Sequence, residues 1–133
     1  MWVIGKKTKL DIFDRNQIIP LVGHFENCQY RKRMADVLKS QRRLWRMAYT
    51  SPDIFGVQSA VEAGFGISAL TRATLTSKMR VLTEADGLPA MEKVKVGLLY
   101  KLPRVLPASR ELAKKLIESM DKATNKHFTR AAN

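Results

Sequence analysis

Three side chains able to bind a metal or transfer a proton lie at alternate positions in one segment: His24, Glu26 and Cys28. A closed zinc site needs four ligands, which normally come from two recognisable clusters. The only other histidine is His127 near the C-terminus, and Cys28 is the only cysteine. We therefore predict a polar loop without a metal, and the sequence indicates no other cofactor.

His24 is also the one candidate for a general base. A catalytic base acts on a nucleophile within hydrogen-bonding reach and is oriented by a third group. No such pair accompanies His24 at a diagnostic spacing, and the sequence contains neither a nucleophile elbow nor a phosphate-binding loop. We therefore predict a protein that is not an enzyme.

Gly64, Gly66 and Ala69 match the letters of the dinucleotide-binding fingerprint G-x-G-x-x-A. The fingerprint works where a strand turns into a helix whose N-terminus faces the pyrophosphate. Here the order is reversed, because a predicted helix precedes the glycines and a predicted strand follows them. The match therefore does not predict binding of NAD or FAD.

The apolar pattern of residues 18–70 alternates between strand-like and helical periodicity, which is typical of consecutive βαβ units. It predicts strands at residues 18–22, 45–49 and 67–70, and helices at about residues 30–38 and 51–63. The fold class is therefore predicted to be α/β, with a small, mainly parallel sheet and flanking helices. In the second helix Ser51 is the predicted cap and Pro52 the first helical residue, and Gly64 suits a left-handed position after the end.

The rest of the chain is predicted to contain one more strand and one more helix. Residues 71–90 are polar and rich in turn formers, and residues 94–100 alternate as a strand would. Pro107 is placed to open a last helix that should reach about Asn125, and the tail from His127 should fray. The apolar stripe of this helix consists of Leu112, Leu116, Ile117 and Met120.

Polar residues follow each of the three predicted strands, in residues 23–29, 50–53 and 71–72. If the strands are parallel and joined by right-handed crossovers, these loops share the sheet edge where open α/β sheets bind ligands. The hydroxyls of Thr50 and Ser51 and the amides of the following helix would suit a carboxylate or another small anion. The alternative is that both hydroxyls only cap the helix.

The chain has 133 residues and a single cysteine. This length suits one folded unit with one core. One cysteine cannot form an intrachain disulfide, which favours a reducing compartment, and we expect the cytoplasm. No run approaches the roughly 20 apolar residues that span a bilayer, and no signal peptide is recognisable, so we expect no membrane association.

Lys and Arg outnumber Asp and Glu by 24 to 12, a surplus that is common in proteins that bind nucleic acid. The surplus is concentrated in residues 31–46, where one acid, Asp36, stands among seven basic residues: Arg31, Lys32, Arg33, Lys39, Arg42, Arg43 and Arg46. Such a run is typical of a solvated helix face. Contact with nucleic acid is the alternative.

Residues 51–70, SPDIFGVQSAVEAGFGISAL, resemble the most recognisable stretch of bacterial LysR-type transcriptional regulators, a helix followed by G-x-G-I and a strand. The opening WVIG is similar to the strand that enters the second subdomain of their effector-binding domain. Residues 87–102 look like the returning crossover, and residues 104–120 resemble the closing helix. The order of these segments is more specific than any one of them.

The resemblance implies the rear part of an effector-binding domain, which is built like periplasmic solute-binding proteins. Such regulators clasp a small metabolite between two α/β subdomains and relay its presence to an N-terminal winged helix-turn-helix that binds DNA. This chain would supply the second subdomain in residues 1–104 and the closing helix with its tail in residues 105–133. The effector-binding residues implied here are Asn27, Cys28, Tyr30, Thr50 and Ser51.

The resemblance also bears on partners. The effector is expected to be a small metabolite such as a carboxylate or an amino acid, and DNA would be reached only through a helix-turn-helix outside this chain. We expect a homodimer, because the apolar stripe of the closing helix would be costly to leave in water. Two other functions stay open: a basic nucleic-acid-binding module and a stand-alone solute-binding protein.

Overall fold

The structure, a computed structural model, describes the backbone of residues 1–92 and 106–129 and the side chains of residues 1–92 and 106–122. The chain divides into two compact units, Met1–Glu92 and Lys93–Asn133. In the first unit the described strands and α-helices are β1 (Trp2–Gly5), β2 (Ile19–Gly23), α1 (Gln29–Ser40), β3 (Trp45–Thr50), α2 (Ile54–Glu62), β4 (Ser68–Ala69) and β5 (Met79–Leu82). In the second unit the described element is α3 (Pro107–Thr129).

The strands form one parallel pair and one antiparallel group. β2 pairs with β3 in parallel, whereas β1 lies between β4 and β5 and is antiparallel to both. A parallel bridge between Leu21 and Ile67 connects the two groups, and there the Val22 amide donates to the Ile67 carbonyl at 2.8 Å. The Ile67 amide donates in turn to the Pro20 carbonyl at 2.9 Å.

The α/β class is therefore confirmed, but the prediction of a mainly parallel sheet was wrong. The three predicted strands do run parallel where they touch, through the β2–β3 pair and the Leu21–Ile67 bridge. The correction comes from β1 and β5, which join the sheet in antiparallel pairs. Antiparallel strands can pair without a crossover helix between them. The alternation of strands and helices in the sequence therefore could not predict the antiparallel pairs of β1.

Two apolar clusters fill the unit, one on each face of the sheet. Along β1, Trp2 and Ile4 belong to the cluster that contains Met34 and Leu38 of α1, whereas Val3 belongs to the other. That second cluster contains Val57 and Val61 of α2. Because neighbouring residues of a strand point to opposite faces, α1 and α2 cover opposite sides of the sheet.

The strand β5 was not predicted, because residues 71–90 read as turns. Its inner positions Arg80 and Val81 are exposed, and only Met79 and Leu82 are buried. Pairing with β1 holds it in place, with Trp2 opposite Leu82. The predicted strand at residues 94–100 lies outside the described residues.

The predicted boundaries of the helices were close to those observed. Gly64 has the expected left-handed backbone, with φ of 86°, directly after the C-cap of α2. The last helix begins at Pro107 as predicted, but it continues to Thr129 instead of ending near Asn125. The first part of the tail that was expected to fray is therefore helical.

None of the helices in the described ranges is both long enough and apolar enough to cross a membrane.

Candidate functional site

The ends of β2 and β3 lie side by side, as expected for parallel neighbours. Gly23 is paired with Thr50, and the Ser51 amide donates to the Gly23 carbonyl at 3.0 Å. Beyond this pair the His24 Nδ1 atom lies 3.0 Å from the Ser51 carbonyl oxygen. A carbonyl only accepts, so Nδ1 is the donor in this contact, and the tautomer with its proton on Nδ1 has Nε2 as an acceptor. The loops after the two strands therefore meet through His24 and Ser51.

Helix α2 is capped by a carboxylate of the chain itself. Asp53 is its N-cap, and its Oδ1 atom accepts from the Gly56 amide at 2.8 Å. The prediction that Ser51 caps this helix and that Pro52 is its first residue was wrong, because the helix begins at Ile54. Ser51 is buried, and its Oγ accepts from the Asp53 amide at 3.3 Å instead.

The Asp53 cap changes what this helix start can bind. The amide that was expected to hold an anion from outside already bonds to Asp53, and a second anion would meet a negative charge. The Gly56 amide bond lowers the pKa of Asp53 below its ordinary value of 3.8. The start of α2 is therefore a poor site for an anionic ligand.

The lowered pKa predicts how stability depends on pH. A group whose pKa is lower in the folded chain stabilises fully above its ordinary value, 3.8 for Asp53, and this contribution is lost as the pH falls through the folded value. We expect Asp53→Asn to lower the melting temperature at pH 7, and the deficit to shrink below about pH 4. Melting curves between pH 7 and pH 3 would measure it. Asp36→Asn, at an exposed acid of α1, is the control, and equal deficits would contradict the prediction.

The other predicted effector residues surround the start of α1. Asn27 is exposed, and Cys28 is the N-cap of α1 but makes no capping bond through its side chain. Tyr30 is half-buried and packs against the core cluster that contains Trp2. Among the described residues no hydrogen bond joins Asn27, Cys28 or Tyr30 to Thr50 or Ser51. The structure thus links Thr50 and Ser51 to the His24 loop, and it leaves the other three on the neighbouring helix start.

Two charged residues of this region were missed as site residues. The Arg31 side chain, 20% exposed, lies 3.5 Å from Glu26, whose side chain is 86% exposed. Its other terminal nitrogen, Nη1, donates to the His24 carbonyl at 3.5 Å. Arg31 belongs to the basic run that was predicted to be solvated. Its position in the first turn of α1, directly after the His24 loop, is the sequence feature that could have indicated a place in the site.

The third predicted loop does not join this arrangement. The hydroxyls of Thr71 and Thr74 lie 3.1 Å apart, and the Gln58 side chain donates to the Thr74 carbonyl at 2.8 Å. The loop after β4 therefore forms hydrogen bonds within itself and with α2.

A groove of about 390 Å³ lies elsewhere, between α1 and residues 89–92, and none of the predicted site residues lines it.

The basic run of residues 31–46 is only partly the solvated face that was predicted. Lys32, Lys39, Arg42 and Arg46 are exposed. Arg43, however, is buried, and its guanidinium donates to the Asp14 carbonyl at 3.0 Å.

In the described part of the chain no three His, Cys, Asp or Glu side chains converge as metal ligands would.

Comparison with known proteins indicates a distant relation to a transcriptional regulator. The chain is 25% identical over 116 residues to the HTH-type transcriptional regulator PecT of Dickeya dadantii (strain 3937). The alignment covers 87% of this chain but only 35% of PecT, so the chain spans about a third of the length of this relative. No protein-family model matches the chain.

Proposed function

We propose that this chain is the effector-sensing part of a LysR-type transcriptional regulator, acting in the bacterial cytoplasm without catalysis. The observation that best supports this proposal is the junction of the loops after β2 and β3, where His24 donates to the Ser51 carbonyl beside Thr50. The junction brings together a ring nitrogen, a hydroxyl and a guanidinium, which are groups that can form hydrogen bonds to a small polar metabolite. The distant similarity to a transcriptional regulator supports the regulatory role.

Sensing in this proposal is a shift between conformations of the whole regulator. A metabolite bound at the strand ends favours the conformation for which it has the higher affinity, and it can shift the equilibrium only by that difference. Asn27, Cys28, Tyr30, Thr50 and Ser51 supply hydrogen bonds and shape. DNA is bound by a winged helix-turn-helix outside this chain, which relays the change to transcription.

A metabolite screen tests the proposal. Thermal shift with carboxylates and amino acids is expected to identify ligands that raise the melting temperature, since a ligand at 100 times its Kd adds about 2.7 kcal/mol to stability. Amide chemical shifts should then change in residues 23–31 and 50–53. The absence of any such ligand, or shifts confined to other regions, would contradict the proposed site.

A DNA titration distinguishes the proposed sensor from the principal alternative, a basic nucleic-acid-binding module. Its support is the exposed set Lys32, Lys39, Arg42 and Arg46. We expect at most weak binding of duplex DNA that is independent of sequence and disappears with added salt, because phosphate attraction alone carries no sequence information. Sequence-dependent binding by this chain would favour the rival. A stand-alone solute-binding protein has no separate observation in its favour.

We also propose that the chain forms a homodimer through α3. Leu112, Leu116, Ile117 and Met120 are each between 44% and 59% exposed. Apolar surface of this kind costs about 25 cal/mol per Å² in water, and a symmetric dimer is the commonest way to cover it. Leu116→Glu should shift sedimentation from dimer towards monomer, whereas Lys114→Gln, which removes one positive charge at another position of the helix, should not. A monomeric parent protein at high micromolar concentration would refute this assembly.

A further inference from the structure

We propose that Arg31 is the anion-binding residue of this site and that Glu26 competes with the ligand for it. The ligand class is a carboxylate, which would replace the Glu26 side chain on the guanidinium. This inference rests on the proposed function, because it assigns the charged group of the effector to one residue of the same site. It adds a regulatory contact, since the chain would carry its own competitor for the ligand.

The two sides of the ion pair differ in how far they are buried. The Arg31 side chain is 20% exposed and lies beside the loop after β2, where its Nη1 atom is 3.5 Å from the His24 carbonyl oxygen. The Glu26 side chain is 86% exposed, and its contact with Arg31 is 3.5 Å long. Exposed ion pairs contribute little to stability, so an external carboxylate can displace Glu26 at small cost. Arg31 is thus the more buried partner, and Glu26 is the one that a ligand can replace.

The chemistry of Arg31 selects the ligand. A guanidinium keeps its charge at all physiological pH values and offers five donors in a planar fork, which matches the two oxygens of a carboxylate. Both contacts of Arg31 are 3.5 Å long, at the long end of the hydrogen-bond range, so its N–H groups are only weakly engaged and a ligand can compete for them. The first turn of α1 contains no acid, whereas the start of α2 already holds Asp53.

Neighbouring groups would fix the rest of a carboxylate ligand. The Nδ1–H of His24 is engaged by the Ser51 carbonyl, so Nε2 can accept a hydrogen bond from a hydroxyl or an amine on the ligand. The half-buried Thr50 is paired with Gly23, directly before the His24 loop. A small hydroxy acid or amino acid, with an acid group and a donor close together, therefore fits better than a simple fatty acid.

The test uses the full chain and four simple probes, observed by amide chemical shifts at constant ionic strength. Acetate and lactate are the carboxylates, and acetamide and lactamide are their neutral counterparts. We expect the carboxylates to shift the amides of residues 24–31 and to bind about tenfold more weakly to Arg31→Gln, a change of about 1.4 kcal/mol. Glu26→Gln should bind them more tightly, because the internal competitor loses its charge.

Arg33→Gln is the matched control. Arg33 lies on the same helix and also pairs with an exposed glutamate, Glu92, at 3.9 Å, so the substitution removes the same charge at a comparable ion pair. Its affinity for carboxylates should stay within about twofold of the parent. Arg31→Lys keeps the charge but loses the planar fork, and it should bind with intermediate affinity. Melting curves of each variant would show that the fold is retained.

Three results would overturn the assignment. These are equal binding of the carboxylates and their neutral counterparts, equal losses in Arg31→Gln and Arg33→Gln, and no gain in Glu26→Gln. Each result leaves the proposed sensor function standing if the metabolite screen still finds a ligand at residues 23–31 and 50–53. The sensor function fails separately, if no metabolite binds there at all.

Discussion

Trp2→Ala is expected to lower the free energy of unfolding by about 3–5 kcal/mol, a large part of the 5–15 kcal/mol typical of a single domain. Trp2 is 1% exposed and belongs to the apolar cluster on the α1 face of the sheet. Its Nε1 atom donates to the Pro89 carbonyl at 3.1 Å. The substitution therefore opens a cavity in the core and also removes the donor for that carbonyl. Guanidinium denaturation followed by circular dichroism would measure the loss.

The second tryptophan provides the control for this experiment. Trp45 lies on β3 and is 36% exposed, so Trp45→Ala removes the same side chain from a partly solvated position and should cost about 1 kcal/mol or less. Trp2→Phe would retain most of the packing but lose the bond to Pro89, and its cost should fall between the two. Equal destabilisation by Trp2→Ala and Trp45→Ala would show that the core does not depend on β1 as described.

Gly66→Ala is expected to cost about 3 kcal/mol, at the upper end of the range for overpacking. A Cβ atom at position 66 would lie 2.8 Å from the Pro20 carbonyl carbon and would clash with the Pro20 oxygen as well. The same oxygen accepts from the Ile67 amide, so the backbone would have to move apart where β2 meets Ile67. The expected readout is a lower denaturation midpoint with an unchanged slope.

Gly23→Ala separates this effect from a general preference for glycine. A Cβ atom at position 23 would meet the methyl ends of Met34 and Met47 at 3.2 and 3.5 Å. Flexible methionine side chains can move aside, so we expect a change of about 1 kcal/mol or less. If Gly23→Ala proved as costly as Gly66→Ala, the close approach of the backbone at Gly66 would not be the cause.

Much of the first unit could be predicted because its strands and helices have distinct apolar periods. β2, β3 and both helices were found from local patterns, and Gly64 from the chemistry of helix ends. The pattern could not show that β1 pairs with β4 and β5, since its partners Ala69 and Leu82 are distant in sequence. β5 was missed because Arg80 and Val81 interrupt its apolar alternation.

The part of the candidate site that depends on strand order could be predicted from the sequence. The part that depends on the path of the loops could not. Parallel neighbours bring their carboxyl ends together, which was enough to place Thr50 and Ser51 beside the loop after β2. The roles of Asp53 and Arg31 depend on which atoms reach the Gly56 amide and the His24 carbonyl. A sequence pattern allows both Ser51 and Asp53 as caps, and only the backbone path decides between them.

The position of β1 also determines the order in which the sheet can be completed. The β2–β3 pair and the Leu21–Ile67 bridge connect segments that are joined through α1 and α2, so they require only moderate loop closures. The strand β1, by contrast, pairs with β4 and β5, which are distant from it in sequence, and such distant contacts form slowly. We expect its amides to gain protection from hydrogen exchange last as the chain folds.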